Sequence, residues 1–287
     1  MAKLFSTLKK HARLCVQVAV AALTNGYLIG FVKGKIFTGK TKQLCVPGLN
    51  CYSCPGALGS CPIGSLQATL GSRDYKFAFY VVGFLMIVGA LVGRFVCGWL
   101  CPFGLIQDLL YKIPFVKKLR KLPGDRWLKW IKYILLAGFV ILLPLFAVDI
   151  IGQGQPWFCK YICPAGTLEG GIPLVLLNKE LQAAIGWLFA WKNLLLVLLI
   201  FLSILVYRPF CRYLCPLGAI YGLFNPIAFY RYKVDKEKCT GCKACQKTCK
   251  LDIPVYQKPN SMDCIRCGAC KRACPHHAIS STIEKEE

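Results

Sequence analysis

Leu205–Ile220, LVYRPFCRYLCPLGAI, decides how this chain is built. It closes an apolar run, sets Cys211 and Cys215 four residues apart, and opens onto a cysteine-dense tail. A second copy, Leu91–Ile106, LVGRFVCGWLCPFGLI, aligns with it without a gap at an offset of 114. The shared positions are Leu, Val, Arg, Cys, Leu, Cys, Pro, Gly and Ile, and internal repetition of this kind sets an architecture. Cysteines at i and i+4 share one face of a helical turn. Proline directly afterwards disfavours helical geometry at Cys101 and Cys215, so each motif marks a bend where a span ends. Gly104 and Gly218 then allow close backbone approach.

Working outward, four apolar segments are long enough to approach or cross a bilayer: Leu14–Val32, Phe77–Gly93, Tyr133–Val148 and Asn193–Tyr207, with Leu181–Trp191 at the interface before the last. The first follows a short basic stretch (Lys3, Lys9, Lys10, Arg13), as in a signal peptide. Its uncharged run of nineteen residues is long for one and shows no small-residue cleavage site, so a retained span is expected. Cys15, alone in that run, reads as a small buried residue. Pro102–Ile113 reads as an interfacial helix, with Trp127 and Trp130 as belt residues. The expected fold is an α-helical membrane protein of four transmembrane helices in two parallel repeats (14–115 and 127–226), followed by a two-cluster ferredoxin-like domain. The division falls at 1–226 and 227–287. Lys112, Lys117, Lys118, Arg120, Lys121, Arg126, Lys129 and Lys132 lie between spans two and three and put that side in the cytoplasm. Both termini then face the cytoplasm of a multi-pass protein of the cell membrane, although Lys33, Lys35, Lys40 and Lys42 on the first outer loop run against the rule.

Nineteen cysteines in 287 residues, spaced by two and three and often followed by proline, point to metal ligation rather than a disulfide framework. The three histidines (His11, His276, His277) lie outside the apolar runs, which disfavours bis-histidine haem, and no C-x-x-C-H is present. The formal charge of +23 reads as lysines flanking spans or as a docking face for an acidic carrier; no nucleic-acid partner is expected.

The tail reads Cys239-x2-Cys242-x2-Cys245-x3-Cys249 and Cys264-x2-Cys267-x2-Cys270-x3-Cys274-Pro275. Four thiolates hold one [4Fe–4S] cube, and in two-cluster ferredoxins the fourth cysteine of each run serves the other cube. The expected sets are therefore Cys239, Cys242, Cys245, Cys274 and Cys249, Cys264, Cys267, Cys270; zinc is disfavoured by this doubled spacing. Lys250 stands where proline usually follows the fourth cysteine. Parallel repeats put both C-x3-C-P motifs on one face, where Cys97, Cys101, Cys211 and Cys215 form an inner four-thiolate site, against the alternative of two unrelated thiol pairs. On the outer loops Cys61-Pro-Ile-Gly-Ser-Leu-Gln aligns with Cys163-Pro-Ala-Gly-Thr-Leu-Glu, and the partner of Cys159 falls on Ala57. Cys54, Cys61, Cys159 and Cys163 are the expected outer set, with Cys51 as the competing ligand. Disulfides remain the alternative there, because that compartment is often oxidising. Two cubes in the tail and one or two more in the membrane domain follow.

The four spans, paired C-x3-C-P motifs and two-cluster tail resemble the membrane-bound polyferredoxins of the NapH and NosR type over nearly the whole length. The resemblance implies electron movement between quinol, or a cytoplasmic donor, and an extracytoplasmic reductase or its maturation system. It matches Cys97, Cys101, Cys211 and Cys215 to the family's C-x3-C-P pairs and the eight tail cysteines to its ferredoxin clusters. The outer motifs exceed the basic pattern. No acceptor motif for covalent flavin is present, so a flavin would belong to a partner. The expected role is a membrane electron-transfer subunit, part of an oxidoreductase system rather than a stand-alone enzyme. Its candidate partners are soluble ferredoxin or flavodoxin, other redox subunits, an extracytoplasmic flavin- or haem-carrying protein, and membrane lipid. Lys243, Lys247, Lys250, Lys271 and Arg272 are a candidate docking face. No catalytic triad or phosphate-binding glycine loop competes. The rival reading is a redox-sensing or maturation protein that uses the outer cysteines as a thiol–disulfide relay.

Overall fold

The computed structural model describes residues 2–72, 75–114, 117–150 and 153–284; the side chains of Lys3, Lys9 and Lys10 lie outside the described part. The chain begins with helix α1 (Ala2–Thr24), turns at Asn25–Tyr27, and continues in the short α2 (Leu28–Lys33). The uncharged run from Leu14 to Val32 is therefore two helices. Asn25 ends the first by bonding back to the Ala21 carbonyl through both its backbone and side-chain N–H. Cys15, expected to be buried, is exposed; Gln17 takes the inward face and is 2% exposed.

Each half then repeats one plan, in which a helix starts directly after a Cys-Pro pair, a longer helix follows, and a C-x3-C-P motif leads into another helix. In the first half these are α3 (Pro62–Ser72), α4 (Tyr75–Val92), α5 (Phe95–Trp99) and α6 (Pro102–Tyr111). α7 (Asp125–Leu135) runs through a π-helical turn at Leu136–Leu142 into α8 (Leu143–Phe146). The second half follows with α9 (Trp157–Tyr161), a π-helical turn at Gly166–Gly171, α10 (Ile172–Leu177), α11 (Lys179–Ala183), α12 (Trp187–Leu205), a π-helical turn at Phe210–Leu214 and α13 (Pro216–Phe224). Among the described residues, two helices are long and apolar enough to cross a membrane, Asp125–Phe146 and Trp187–Leu205; His11–Thr24, Phe79–Val92 and Gly166–Leu177 are shorter apolar stretches. α6, expected at the membrane interface, is packed between α1 and α12 and buries Phe103, Leu105 and Gln107.

The tail has strand β1 (Tyr232–Val234), helices α14 (Ala244–Thr248) and α15 (Ala269–Arg272), and strand β2 (Ile279–Ser281). β1 and β2 pair antiparallel with Tyr232 opposite Ser281 and Val234 opposite Ile279, closing a ferredoxin-like unit around its two cysteine runs.

Helix lengths fix the depth of the sites. α4 rises about 27 Å and its neighbour α3 only about 16 Å, so the chain returning from α3 overshoots Cys61 by roughly 10 Å before it reaches the inner motif. Cys61 therefore lies inside the molecule, a helix length below the outer rim. The loop before it is drawn in as well, with Leu49 2% and Asn50 0% exposed. Irregular backbone is tolerated at such depth only where protein or a cavity surrounds it.

Candidate metal centres

The four Cys-Pro-x-Gly motifs, which begin at Cys61, Cys101, Cys163 and Cys215, share one local device. The cysteine caps a helix, proline takes the first turn where no N–H is needed, and the glycine three residues on turns its N–H to the cysteine sulfur. Gly218 N lies 3.3 Å from Cys215 Sγ, and Gly166 N lies 3.4 Å from Cys163 Sγ. The N–H groups of Gly64 and Gly104 stand in the same positions near Cys61 and Cys101, without closing a cap bond at Cys101. Thiolates at helix N-termini gain from the unpaired N–H groups and the helix dipole. The missing Cβ matters at Gly166: a methyl there would lie 3.8 Å from both Cys163 Sγ and Cys51 Sγ.

The inner cysteines meet across the repeat. Cys97, Cys101, Cys211 and Cys215 are 4–5% exposed and within electrostatic reach of one another. Two buried arginines lock the halves reciprocally. Arg94 of the first motif donates to the Cys211 carbonyl at 2.7 Å, and Arg208 of the second donates to the Cys97 carbonyl. Arg208 is held by a bidentate pair with Asp108 at 2.8 and 2.6 Å, which Arg13 also joins. Gln107 donates to Cys211 Sγ at 3.1 Å.

The repeat equivalent of Asp108 is Gly222, and the tail supplies what is missing there. An added Cβ at Gly222 would lie 2.9 Å from the Met262 carbonyl, and Asp263 receives Arg94 at 3.4 Å, Lys132 at 2.6 Å and Lys129 at 3.2 Å. Burial opposes that charge, yet Lys132 and Arg94 hold the Asp263 carboxyl well below the usual carboxylate range. The next residue is Cys264, so the second tail run is pinned against the inner motif. Arg266 donates to the carbonyls of Val92 (2.8 Å) and Asn225 (2.6 Å), and Asn225 donates to those of Ser261 (2.9 Å) and Cys264 (2.7 Å). Trp99 Nε1 donates to the Arg266 carbonyl at 3.1 Å. Gly98, next to Cys97, leaves room for the tail backbone, since a Cβ there would stand 2.2 Å from the Ile265 carbonyl. Gly98→Ala is expected to push the tail off this seat at a cost of about 1–3 kcal/mol. Hydrogen exchange should then rise at Ile265–Cys267 and not at β1–β2; unchanged protection there would exclude the seat.

In the tail, Cys239, Cys242, Cys245 and Cys274 line one hollow together. Cys249, Cys264, Cys267 and Cys270 lie within electrostatic reach of each other. Burial pushes the Cys264 and Cys270 thiols up to about 12, so each stays protonated until a metal takes the proton's place. Two residues of the expected docking face are engaged within the chain: Lys250 lies over the rings of Tyr111 and Tyr207 at 5.2 and 5.1 Å, and Lys271 pairs with Glu284.

At the outer site the structure departs from the sequence expectation. Cys51, Cys61, Cys159 and Cys163 are the four in mutual reach, whereas Cys54 Sγ turns to Asn25 Oδ1 at 3.6 Å. Glu169 makes the difference, because its carboxylate accepts the Cys51 N–H at 2.7 Å and draws that residue over Gly166. Spacing hid this, since Cys51 stands ten residues before Cys61 rather than four. A signal was present one step further on. All four motifs read C-P-x-G-x-[LI] and end in Gln67, Gln107, Glu169 or Tyr221, and each of these side chains reaches across to another segment. Gln67 donates to Cys159 Sγ at 3.3 Å just as Gln107 does to Cys211, and Tyr221 donates to the Pro47 carbonyl at 3.0 Å.

A 4Fe-4S binding domain family matches residues 76–123, 133–172 and 187–234, and a second 4Fe-4S binding domain matches residues 258–280. An uncharacterized protein of Methanocaldococcus jannaschii is 32% identical over 73% of this chain and 80% of its own length. The ferredoxin-type protein NapH of Haemophilus influenzae is 28% identical over 72% of this chain and 69% of its own. The chain belongs to the NapH-type polyferredoxins. The methylamine utilization ferredoxin-type protein MauN of Paracoccus denitrificans is similar too, at 28% identity over 83% of this chain and 74% of its own. No solved structure matches. This polyferredoxin binds [4Fe–4S] clusters and is a ferredoxin-type electron-transfer protein. Its cages suit that group. They offer thiolates with backbone N–H donors, and at the inner site the buried Arg94 Nε has no partner in the chain, leaving a donor for an inorganic sulfide.

Proposed function

We propose that the polyferredoxin is a four-step electron conduit across the cell membrane, with both termini in the cytoplasm. α1, α4, the helix Asp125–Phe146 and α12 are its crossings. Residues 1–226 form the membrane domain and 227–287 the ferredoxin domain. Cys239, Cys242, Cys245 and Cys274 hold the first cube, and Cys249, Cys264, Cys267 and Cys270 the second. Cys97, Cys101, Cys211 and Cys215 hold the inner cube, and Cys51, Cys61, Cys159 and Cys163 the outer one. Bound cubes supply one-electron carriers of low potential; the chain supplies their order and spacing.

One observation carries this reading. The Leu49 N–H is directed at Cys101 of the inner site, and the N–H of the next residue, Asn50, at Cys61 of the outer site. Consecutive amide nitrogens are less than about 4 Å apart, so the two sulfurs lie no more than roughly 10 Å apart. With residues 262–267 seated on the inner motif, contacts run unbroken from the tail to the outer site. Cys242, a member of the first tail set, is exposed, so a soluble ferredoxin or flavodoxin can approach that set. The relatives NapH and MauN are ferredoxin-type proteins, which supports redox partners in general.

Anaerobically purified protein is expected to contain about sixteen irons and as many acid-labile sulfides per chain. About eight would confine the cubes to the tail and end the conduit reading. About twelve would leave one membrane site empty and bring back the thiol–disulfide relay.

A further inference from the structure

Beside the outer site lies a chamber of about 1010 Å³, lined by residues of α3 and α10 and by Cys51, Cys61, Cys159 and Cys163. Small-molecule sites usually measure about 300–1,000 Å³, and a cube occupies only part of this one. Ser65 and Thr69 of α3 line one wall. Three lysines line the space, Lys42 buried, Lys192 half-buried and Lys40 exposed, and among the described residues no carboxylate lines it. Lys42 spends one donor on the Ala57 carbonyl (2.7 Å), and Lys192 one on the Cys159 carbonyl (3.2 Å). An ammonium carries three donors, so each keeps two. Asn50, 0% exposed and part of the lining, has an Oδ1 without a hydrogen-bond partner. A buried acceptor left open in this way calls for a donor.

We propose that this chamber binds a small anion that carries a hydrogen-bond donor, seated between Lys42, Lys192 and Asn50 beside the outer four-cysteine site. The proposal rests on the conduit reading and deepens it: the outer end of the conduit faces a small hydroxylated or protonated anion rather than the flat surface of a protein.

Inorganic phosphate and sulfate test it, because at neutral pH phosphate retains an O–H and sulfate does not. Calorimetric titration of the purified holoprotein in detergent is expected to show one saturable phosphate site and weaker binding of sulfate. Lys42→Gln/Lys192→Gln is expected to weaken phosphate at least about tenfold, the loss of roughly one charge-assisted hydrogen bond. Lys236→Gln/Lys238→Gln, on the exposed tail, is expected to change nothing. The proposal is overturned if no saturable binding is seen, if sulfate binds as tightly as phosphate, or if the tail variant loses as much as the chamber variant. Iron content of the same preparations reads the conduit separately. Sixteen irons without phosphate binding would sink the chamber alone, and eight irons would sink the conduit.

Discussion

Arg266→Gly is expected to leave the tail folded and fully loaded with iron while it loosens the tail from the inner motif. Arg266 sits between the first two cysteines of its run, where Gly241 sits in the other, and both have left-handed backbone, with φ of 51° and 68°. A side chain in that region costs about 1–2 kcal/mol, which glycine avoids. The first run uses glycine; the second accepts the strain because the guanidinium bridges the carbonyls of Val92 and Asn225. The substitution therefore has two effects of opposite sign. The local turn of the second tail run relaxes, and the seat loses two charge-assisted hydrogen bonds worth about 1.5–3 kcal/mol each, shifting the docking equilibrium roughly a hundredfold or more. Sixteen irons retained, with faster hydrogen exchange at Arg94–Trp99 and slower electron passage from tail to inner site, is the expected outcome. Arg266→Lys separates the causes: it keeps the strain but cannot bridge two carbonyls with a planar fork, so it should dock poorly without any gain in the tail. Normal docking of either variant would show that Asp263 and Asn225 hold the seat unaided.

The cysteine groups of the tail and of the inner motifs, which the structure brings together, were readable because their members are close in the chain or repeat at a fixed offset. Cys97–Cys101 and Cys211–Cys215 declare each other through 114-residue self-similarity, and proline after each second cysteine announces the bend. Depth was not readable in the same way. Leu14–Val32 has the composition of one span, yet Asn25 and Gly26 break it, and nothing in the hydropathy of Cys45–Cys61 says that this Gly- and Pro-rich loop folds inward to touch both membrane sites. The choice of Cys51 over Cys54 was unreadable for a related reason. Its place depends on Glu169, more than a hundred residues away, and a contact of that range leaves no spacing to read. The substitution of Asp263 for the missing Asp108 equivalent was equally hidden, since it requires knowing that the tail folds back beside Gly222.

In the proposed conduit, a cut at the inner site should give the largest single effect. Cys211 is in reach of Cys97 and Cys215, receives Gln107 on its sulfur, and receives Arg94 on its carbonyl, so it joins both halves of the repeat and borders the tail seat. Cys211→Ala removes one of four thiolates and leaves the Gln107 amide without its acceptor. Iron is expected to fall from about sixteen to about twelve, with both tail cubes still present. A soluble ferredoxin should still reduce the tail, while reduction of the outer site from the cytoplasmic side drops to background. The outer cysteines supply the matched contrast. Cys51→Ala is expected to cost about four irons as well, whereas Cys54→Ala keeps them, because the Cys54 sulfur faces Asn25 rather than the ring of four. The two single-cysteine losses differ in position along the path: without Cys51 the inner site can still be reduced through the tail, and without Cys211 nothing beyond the tail can. If the outer site were reduced normally in Cys211→Ala, electrons would have a route around the inner cage, and the linear order given by the contacts through Leu49, Asn50 and Ile265 would be wrong.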